Sequence, residues 1–153
     1  MNNIEVDARQ VTSMFADLTS RQQRQVYRSA LRKGAGILVG ETKRQLRQTL
    51  GRAASSRNWW NGKTLISGIK ANVDRNGEKA KVHIMGDFRL KFFEMGTKTR
   101  YKKRTKGRPS TGSIKASYFF KKAREAKESE ISNSMNDIIT KSILRVNGQF
   151  KGR

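Results

Sequence analysis

The stretch FRLKFFEMGT, residues 88–97, decides how many strands this chain contributes to its fold. Phe88, Leu90 and Phe92 alternate as a half-buried strand would, which predicts a third strand. The segment is also short and apolar and stops at Gly96, which suits a short helical turn equally well. Both readings stay open from residues alone. In either, Gly96 is expected to take a positive φ that lets the chain leave the sheet. Glu94 sits among Phe92, Phe93 and Met95, and a carboxylate in such company must be satisfied. It is expected to accept from nearby backbone N–H groups or to pair with one helix cation.

Upstream lie two strand-like runs, LISGIKANV (65–73) and AKVHIMG (80–86). They are joined through DRNGE, whose Asn-Gly marks a turn. In the second run Val82 and Ile84 share one face and Lys81 and His83 the other. Before them, GRAASSRNWWNGKT (51–64) is a loop by its Gly, Ser and Asn content. Its Trp59 and Trp60 have no periodicity to bury them. They read either as a cap on the edge of the core or as an anchor at a subunit interface, where loop tryptophans often carry binding.

Two long helices flank this region. The first is expected over 21–50, opened by a capping box with Ser20 as N-cap and Gln23 three residues on. Its stripe is Tyr27, Leu31, Ala35, Leu38, Thr42, Leu46 and Leu50, preceded by a short helical pattern at Val11, Met14, Phe15 and Leu18. Gly34, Gly36 and Gly40 each weaken the middle by up to ~1 kcal/mol, so something is expected to pack closely there. The second long helix is predicted from about Ser117 to Arg145. Its stripe is Phe120, Ala123, Lys127, Ile131, Met135, Ile138 and Ser142, widened by Phe119, Ile139 and Ile143. The reading is an α+β domain over 1–146, with a small antiparallel sheet packed on the two helices, and a flexible tail at 147–153. A long basic loop, 97–116, joins the sheet to the last helix.

Charge dominates the composition: 34 Lys+Arg against 12 Asp+Glu, a net +22. Self-repulsion of that size makes a polyanion the expected neighbour. Two blocks hold most of it. Residues 21–52 carry nine bases and one acid, and 96–127 carry twelve bases and one acid. Within the second block Lys98, Arg100, Lys102, Lys103, Arg104, Lys106, Arg108 and Lys115 have no acid among them. The one aromatic in that loop, Tyr101, and the lack of helical periodicity suit contacts to a nucleic-acid backbone rather than base reading. The chain is 35% hydrophobic, which permits only a thin core and favours a partner to cover part of it.

Other classes find little support. No window approaches the ~18–20 apolar residues of a membrane span. The opening MNNIEVDARQ lacks the order of a signal peptide, and with no cysteine there is neither a disulfide framework nor a thiolate metal site. A protein made and used in the cytosol is expected. His83 is the only imidazole and has no partner at motif spacing. Asp87 and Glu94 do not form the carboxylate cluster that a metal-dependent nuclease needs. The chain is read as a non-enzyme with no metal and no cofactor.

The order of its motifs resembles the neck and tail-completion family of long-tailed bacteriophages, the minor tail protein Z-like group. There an amphipathic helix precedes a loop and a glycine-led Leu-x-x-x-Ile strand, and a second strand follows. Next come an aromatic-rich segment ending in Glu-x-Gly-Thr, a variable loop, and a Pro-Phe-hydrophobic-x-x-Ala entry into the last helix. Here the counterparts are GKTLISGI (62–69), KVHIMG (81–86), FFEMGT (92–97, with Phe92, Phe93, Glu94, Gly96 and Thr97) and SYFFKKA (117–123). The proline before the aromatic pair is absent, and Ser117 and Tyr118 stand there instead. The resemblance implies a structural virion protein at the head–tail junction, assembled in the host cytoplasm into a homo-oligomeric ring, a hexamer, around the DNA channel. Its other partners would be further neck and tail proteins. The competing class is a stand-alone basic nucleic-acid-binding protein.

Overall fold

A computed structural model describes residues 13, 15, 16, 18–57 and 62–150, with the side chains of 147, 149 and 150 excepted. Helix α1 spans Ser20–Leu50 and a short α2 spans Arg52–Ser56. A single 3-10 turn covers Leu65–Gly68, followed by β1 at Lys70–Val73 and β2 at Ala80–His83. Helix α3 is Arg89–Met95, β3 and β4 are Arg100–Tyr101 and Ser110–Gly112, and α4 runs Phe119–Phe150. The chain is α+β, but its described residues do not form one sheet. β1 pairs only with β2 and β3 only with β4, two separate two-stranded sheets.

The expected first strand is cut short by its own hydroxyls. Thr64 caps the 3-10 turn by accepting from the Ser67 amide, and Ser67 Oγ donates to the Thr64 carbonyl at 2.6 Å. Such local bonds offer the backbone an alternative to a ladder. The second strand also stops early, at His83. Beyond it the Gly86 amide donates to the Gly68 carbonyl at 3.0 Å, and a Cβ on Gly86 would lie 2.7 Å from that oxygen. The Asn-Gly turn between the strands forms as expected, with Gly77 at φ 74°.

The open segment, 88–97, is helical. Leu90 is completely buried while Phe88 and Phe92 are exposed, which a strand with all three on one face could not do. Asp87 sets the start: its Oδ1 accepts from the Arg89 amide at 3.0 Å and its carboxylate grips the Arg89 guanidinium.

The described residues divide into two compact units. One takes in those up to Gly36, Asn72–Lys81 and those from Ser129 on. Its core joins Leu18 and Val26 to Ile143, with Phe15, Ile139 and Val146 packed against them. Here the buried face of α1 is Val26, Ala30 and Gly34, one residue earlier than the expected Tyr27 and Leu31 would place it, while Ala35 is buried as expected. The capping box is displaced the same way. Thr19 N donates to Gln22 Oε1 at 2.9 Å and Gln22 N to Thr19 Oγ1, so Thr19 is the cap rather than Ser20. Gln23 instead donates its amide to the carbonyls of Phe15 and Leu18. Close packing at the glycines holds for Gly34 alone, where a Cβ would stand 2.9 Å from Met135 Sδ; Gly36 and Gly40 face open space.

The other unit comprises residues 37–71 and 82–128. Leu46, Leu65, Ile69, Ile84, Leu90 and Phe119 form its core, with Val39, Leu50, Phe93 and Phe120 against it. From Ala35 onward α1 follows the expected stripe, and Thr42 and Leu46 are fully buried. Helix α4 starts two residues later than expected, at Phe119, and continues to Phe150 through most of the stretch read as a tail.

Candidate nucleic-acid interface

The basic loop is an ordered hairpin on a built base. β3 and β4 pair antiparallel, Arg100 opposite Gly112 and Tyr101 opposite Ser110, with an irregularity between the two pairs. The Thr111 hydroxyl donates to the Arg100 carbonyl, and the Lys102 amide donates to Pro109 O at 3.1 Å. The tip turns through Gly107 at φ 81° and Arg108 at φ 39°, where the Arg108 amide reaches Thr105 O at 3.0 Å. A non-glycine residue at such a φ is uncommon.

Below the strands, the Thr97 amide donates to Ile114 O at 2.8 Å, and the Ile114 amide donates back to Thr97 Oγ1 at 2.9 Å. The neck of the hairpin is thereby closed. Gly96, just before it, ends α3 with φ 74° and donates its amide to Phe92 O at 2.8 Å. A Cβ there would lie 2.8 Å from both Ala116 N and Ile114 O, so the position demands glycine for its conformation and for its space. The positive φ was expected, but it ends a helix rather than leaving a sheet.

On the return side Ser117 brings both its amide and its hydroxyl to Phe93 O, at 2.9 and 2.7 Å. Tyr118 follows with φ 52°, donating its amide to Glu94 O at 3.2 Å. Glu94 then completes the joint. Its Oε2 accepts from the Phe120 amide at 2.8 Å and its Oε1 from the Lys121 amide at 3.2 Å. Those are free donors of the first turn of α4, which an N-cap side chain would normally satisfy. Tyr118 stands at the cap position and cannot, so a carboxylate from α3 serves instead and also meets the positive end of the helix dipole. Position 118 could not hold proline in this conformation, since a proline ring fixes φ near −65° and Tyr118 is at +52°.

All eight cations of the loop, Lys98, Arg100, Lys102, Lys103, Arg104, Lys106, Arg108 and Lys115, are exposed, and so is Tyr101. Among the described residues no salt bridge involves any of them. The motif residues divide. Phe93 packs inward, whereas Phe92 turns outward against Phe88, rings edge to face at 6.1 Å. Trp59 and Trp60 lie outside the described residues.

Two further acids of this unit, Asp87 and Glu41, serve the scaffold. The hydrogen bond from the Arg89 side chain holds the Asp87 carboxyl below the ordinary aspartate range, against the opposing effect of burial. Likewise the Arg44 side chain, backed by Gln45, holds buried Glu41 below the ordinary glutamate range. His83 is half-buried rather than presented on an open polar face, and its Nδ1 is covered without a hydrogen-bond partner. Among the described residues no group of three or more His, Asp or Glu could hold a metal, and no helix is long and apolar enough to cross a membrane.

Sequence reading missed the hairpin, the Thr97–Ile114 clamp and the contribution of Ser117. The glycines at 107 and 112 around a Pro-Ser-Thr run were a signal for the turn. Nothing local marks the clamp. No protein-family model, curated protein or solved structure matches the chain.

Proposed function

We propose that this chain is a structural component of the phage head–tail junction, a neck or tail-completion protein that assembles as a ring around the DNA channel. In this reading the 98–115 hairpin meets the DNA backbone without reading its sequence. The observation that carries the DNA contact is a hairpin with eight exposed cations and no acid, tied at both ends to α3 and α4. An unpaired cationic surface gains most by displacing counterions from phosphates, and it gains equally on any sequence. With the Thr97–Ile114 bonds closing the base of the hairpin and all eight cations exposed, they can meet a duplex without unfolding anything. The ring and the neck assignment rest on the order of the four motifs.

The test changes Lys102, Lys103, Arg104 and Lys106 together to Gln. All four are exposed and none supports the core, so the melting temperature should stay within a degree or two. Affinity for random-sequence duplex should fall, and the log–log salt dependence should flatten by roughly 0.9 for each lost phosphate contact. An unchanged slope removes the hairpin as the contact and leaves the bases of α1 as the next candidate. Imaging of the nuclease-treated protein separates the two function classes. Closed rings support the neck reading, and a monomer that binds DNA supports a stand-alone binder.

A further inference from the structure

Among the described residues five aromatic side chains stand exposed, and four of them, Phe88, Phe92, Tyr101 and Tyr118, fall between positions 88 and 118. That stretch is the basic hairpin with its two joints. Phe88 and Phe92 lie one turn apart on the face of α3 turned away from buried Leu90. Three successive carbonyls at the end of α3 bring the return strand to them: Phe92 O takes the Gly96 amide, Phe93 O that of Ser117 and Glu94 O that of Tyr118. The backbones of Phe92 and Tyr118 thus meet at one joint, and Tyr101 stands on β3 just above it. Tyr118 is held at φ 52°, a region costly to a bulky residue. Half of its side chain is nevertheless in water, at 51% exposed, so burial does not repay that cost.

Cations stand among these rings. Lys91 lies on α3 between Phe88 and Phe92 in sequence, Lys98 enters the hairpin, and both are exposed along with the other hairpin bases. A partner that suits this surface brings flat apolar groups with an anion beside each one. Nucleic acid does so, but only where it is unpaired, because a duplex closes its base faces within its own stack. The geometry of the rings favours the same form. Phe88 and Phe92 meet at 89°, so both cannot lie in one run of parallel bases. Unpaired nucleotides turn independently and can take each face. Stacking on an aromatic ring accepts any base, so such a surface reads no sequence.

We infer that this unit binds single-stranded nucleic acid. Phe88 and Phe92 stack on unpaired bases, Tyr118 and Tyr101 carry the platform toward the hairpin, and Lys91, Lys98 and the hairpin bases follow the phosphates. The inference rests on the hairpin as the nucleic-acid contact. It adds a second form of that ligand, unpaired nucleotides as well as duplex, and the side chains that tell the two apart.

Fluorescence anisotropy on nuclease-treated protein tests it, with a labelled oligo-thymidine strand, an oligo-uridine strand and a mixed-sequence duplex of equal length. Phe88→Leu with Phe92→Leu keeps the apolar bulk and removes the ring faces. Both positions are exposed, so the circular dichroism spectrum should stay that of wild type. Affinity for the thymidine strand should fall at least tenfold with its salt slope unchanged, while duplex affinity stays within twofold. The uridine strand should lose as much, because a ring stacks on the base and leaves the sugar untouched. Changing Lys102, Lys103, Arg104 and Lys106 to Gln should instead flatten the salt slope for single strand and duplex alike. Full single-strand affinity in the leucine variant overturns the stacking surface and leaves the hairpin reading intact. An equal loss on duplex also overturns it, since the rings would then support the hairpin rather than hold bases. A glutamine variant with wild-type slopes on every ligand overturns the hairpin reading and this inference with it.

Discussion

Glu94 and Phe120 stand twenty-six residues apart in the chain, yet the Glu94 carboxylate accepts the Phe120 amide at 2.8 Å. That bond joins the end of α3 to the start of α4 and brackets the basic hairpin between them. A helix whose cap position holds tyrosine borrows its cap from another helix. The same carboxylate takes the Lys121 amide as well, so one side chain satisfies two of the donors that the first turn leaves free.

Replacing Glu94 with Ala should therefore act as the loss of a helix cap. We expect a cost of about 1–2 kcal/mol, read as a lower urea midpoint with an unchanged slope. Glu94→Gln keeps one acceptor and should recover part of the loss. An alanine variant as stable as wild type would show that water replaces the carboxylate at no cost.

Gly96→Val should cost more. It forces a β-branched residue to φ 74° and drives its Cβ onto Ala116 and Ile114. Strain of that kind alone is worth roughly 1–3 kcal/mol. Loss of the Thr97–Ile114 clamp should show as faster amide exchange at Thr97 and Ile114. A variant melting within a degree of wild type, with both amides still protected, would contradict the role assigned to the glycine.

The three glycines of α1 should part company. Gly36 and Gly40 are helical, exposed and free of neighbours. Alanine at either should stabilise by about 0.5–1 kcal/mol, because a glycine loses more backbone freedom on folding. Gly34→Ala should give less or nothing, since its methyl meets Met135 and Ile131. Thermal melts of the three single variants decide it. An equal gain at all three would mean that Met135 yields freely.

Acid should weaken the fold through two carboxylates. Asp87 and Glu41 are held below their ordinary values, so protons bind the unfolded chain more readily than the folded one. The stability they add is complete above the ordinary values of about 3.9 and 4.3 and is lost as pH falls through the lower folded ones. Asp87 should matter more, because its partner Arg89 is mostly covered whereas Arg44 is largely in water. Asp87→Asn should lower stability at pH 7 and flatten the acid limb of the stability curve. A limb as steep as wild type would assign it to other carboxylates.

Much of this architecture could be read from local pattern. The long helices declare themselves by apolar residues at three- and four-residue spacing, because a helix must turn one face to the core whatever lies opposite. The turn at Asn76-Gly77 and the unpaired charge of 98–115 are equally plain, since backbone conformation and formal charge belong to the residues themselves. What failed locally was choice among near-equals. Thr19 and Ser20 are both good caps, and which one served depended on where Val26 met Leu18 and Ile143. Phe88, Leu90 and Phe92 suit a strand or a helix. The outcome turned on burying Leu90 against Ile69 and Phe119, residues distant in the chain. The Glu94 cap, the Thr97–Ile114 clamp and the Gly68–Gly86 approach needed the tertiary structure outright. Each is a hydrogen bond or close contact between groups 17 or more residues apart, and no periodicity within either segment encodes its partner.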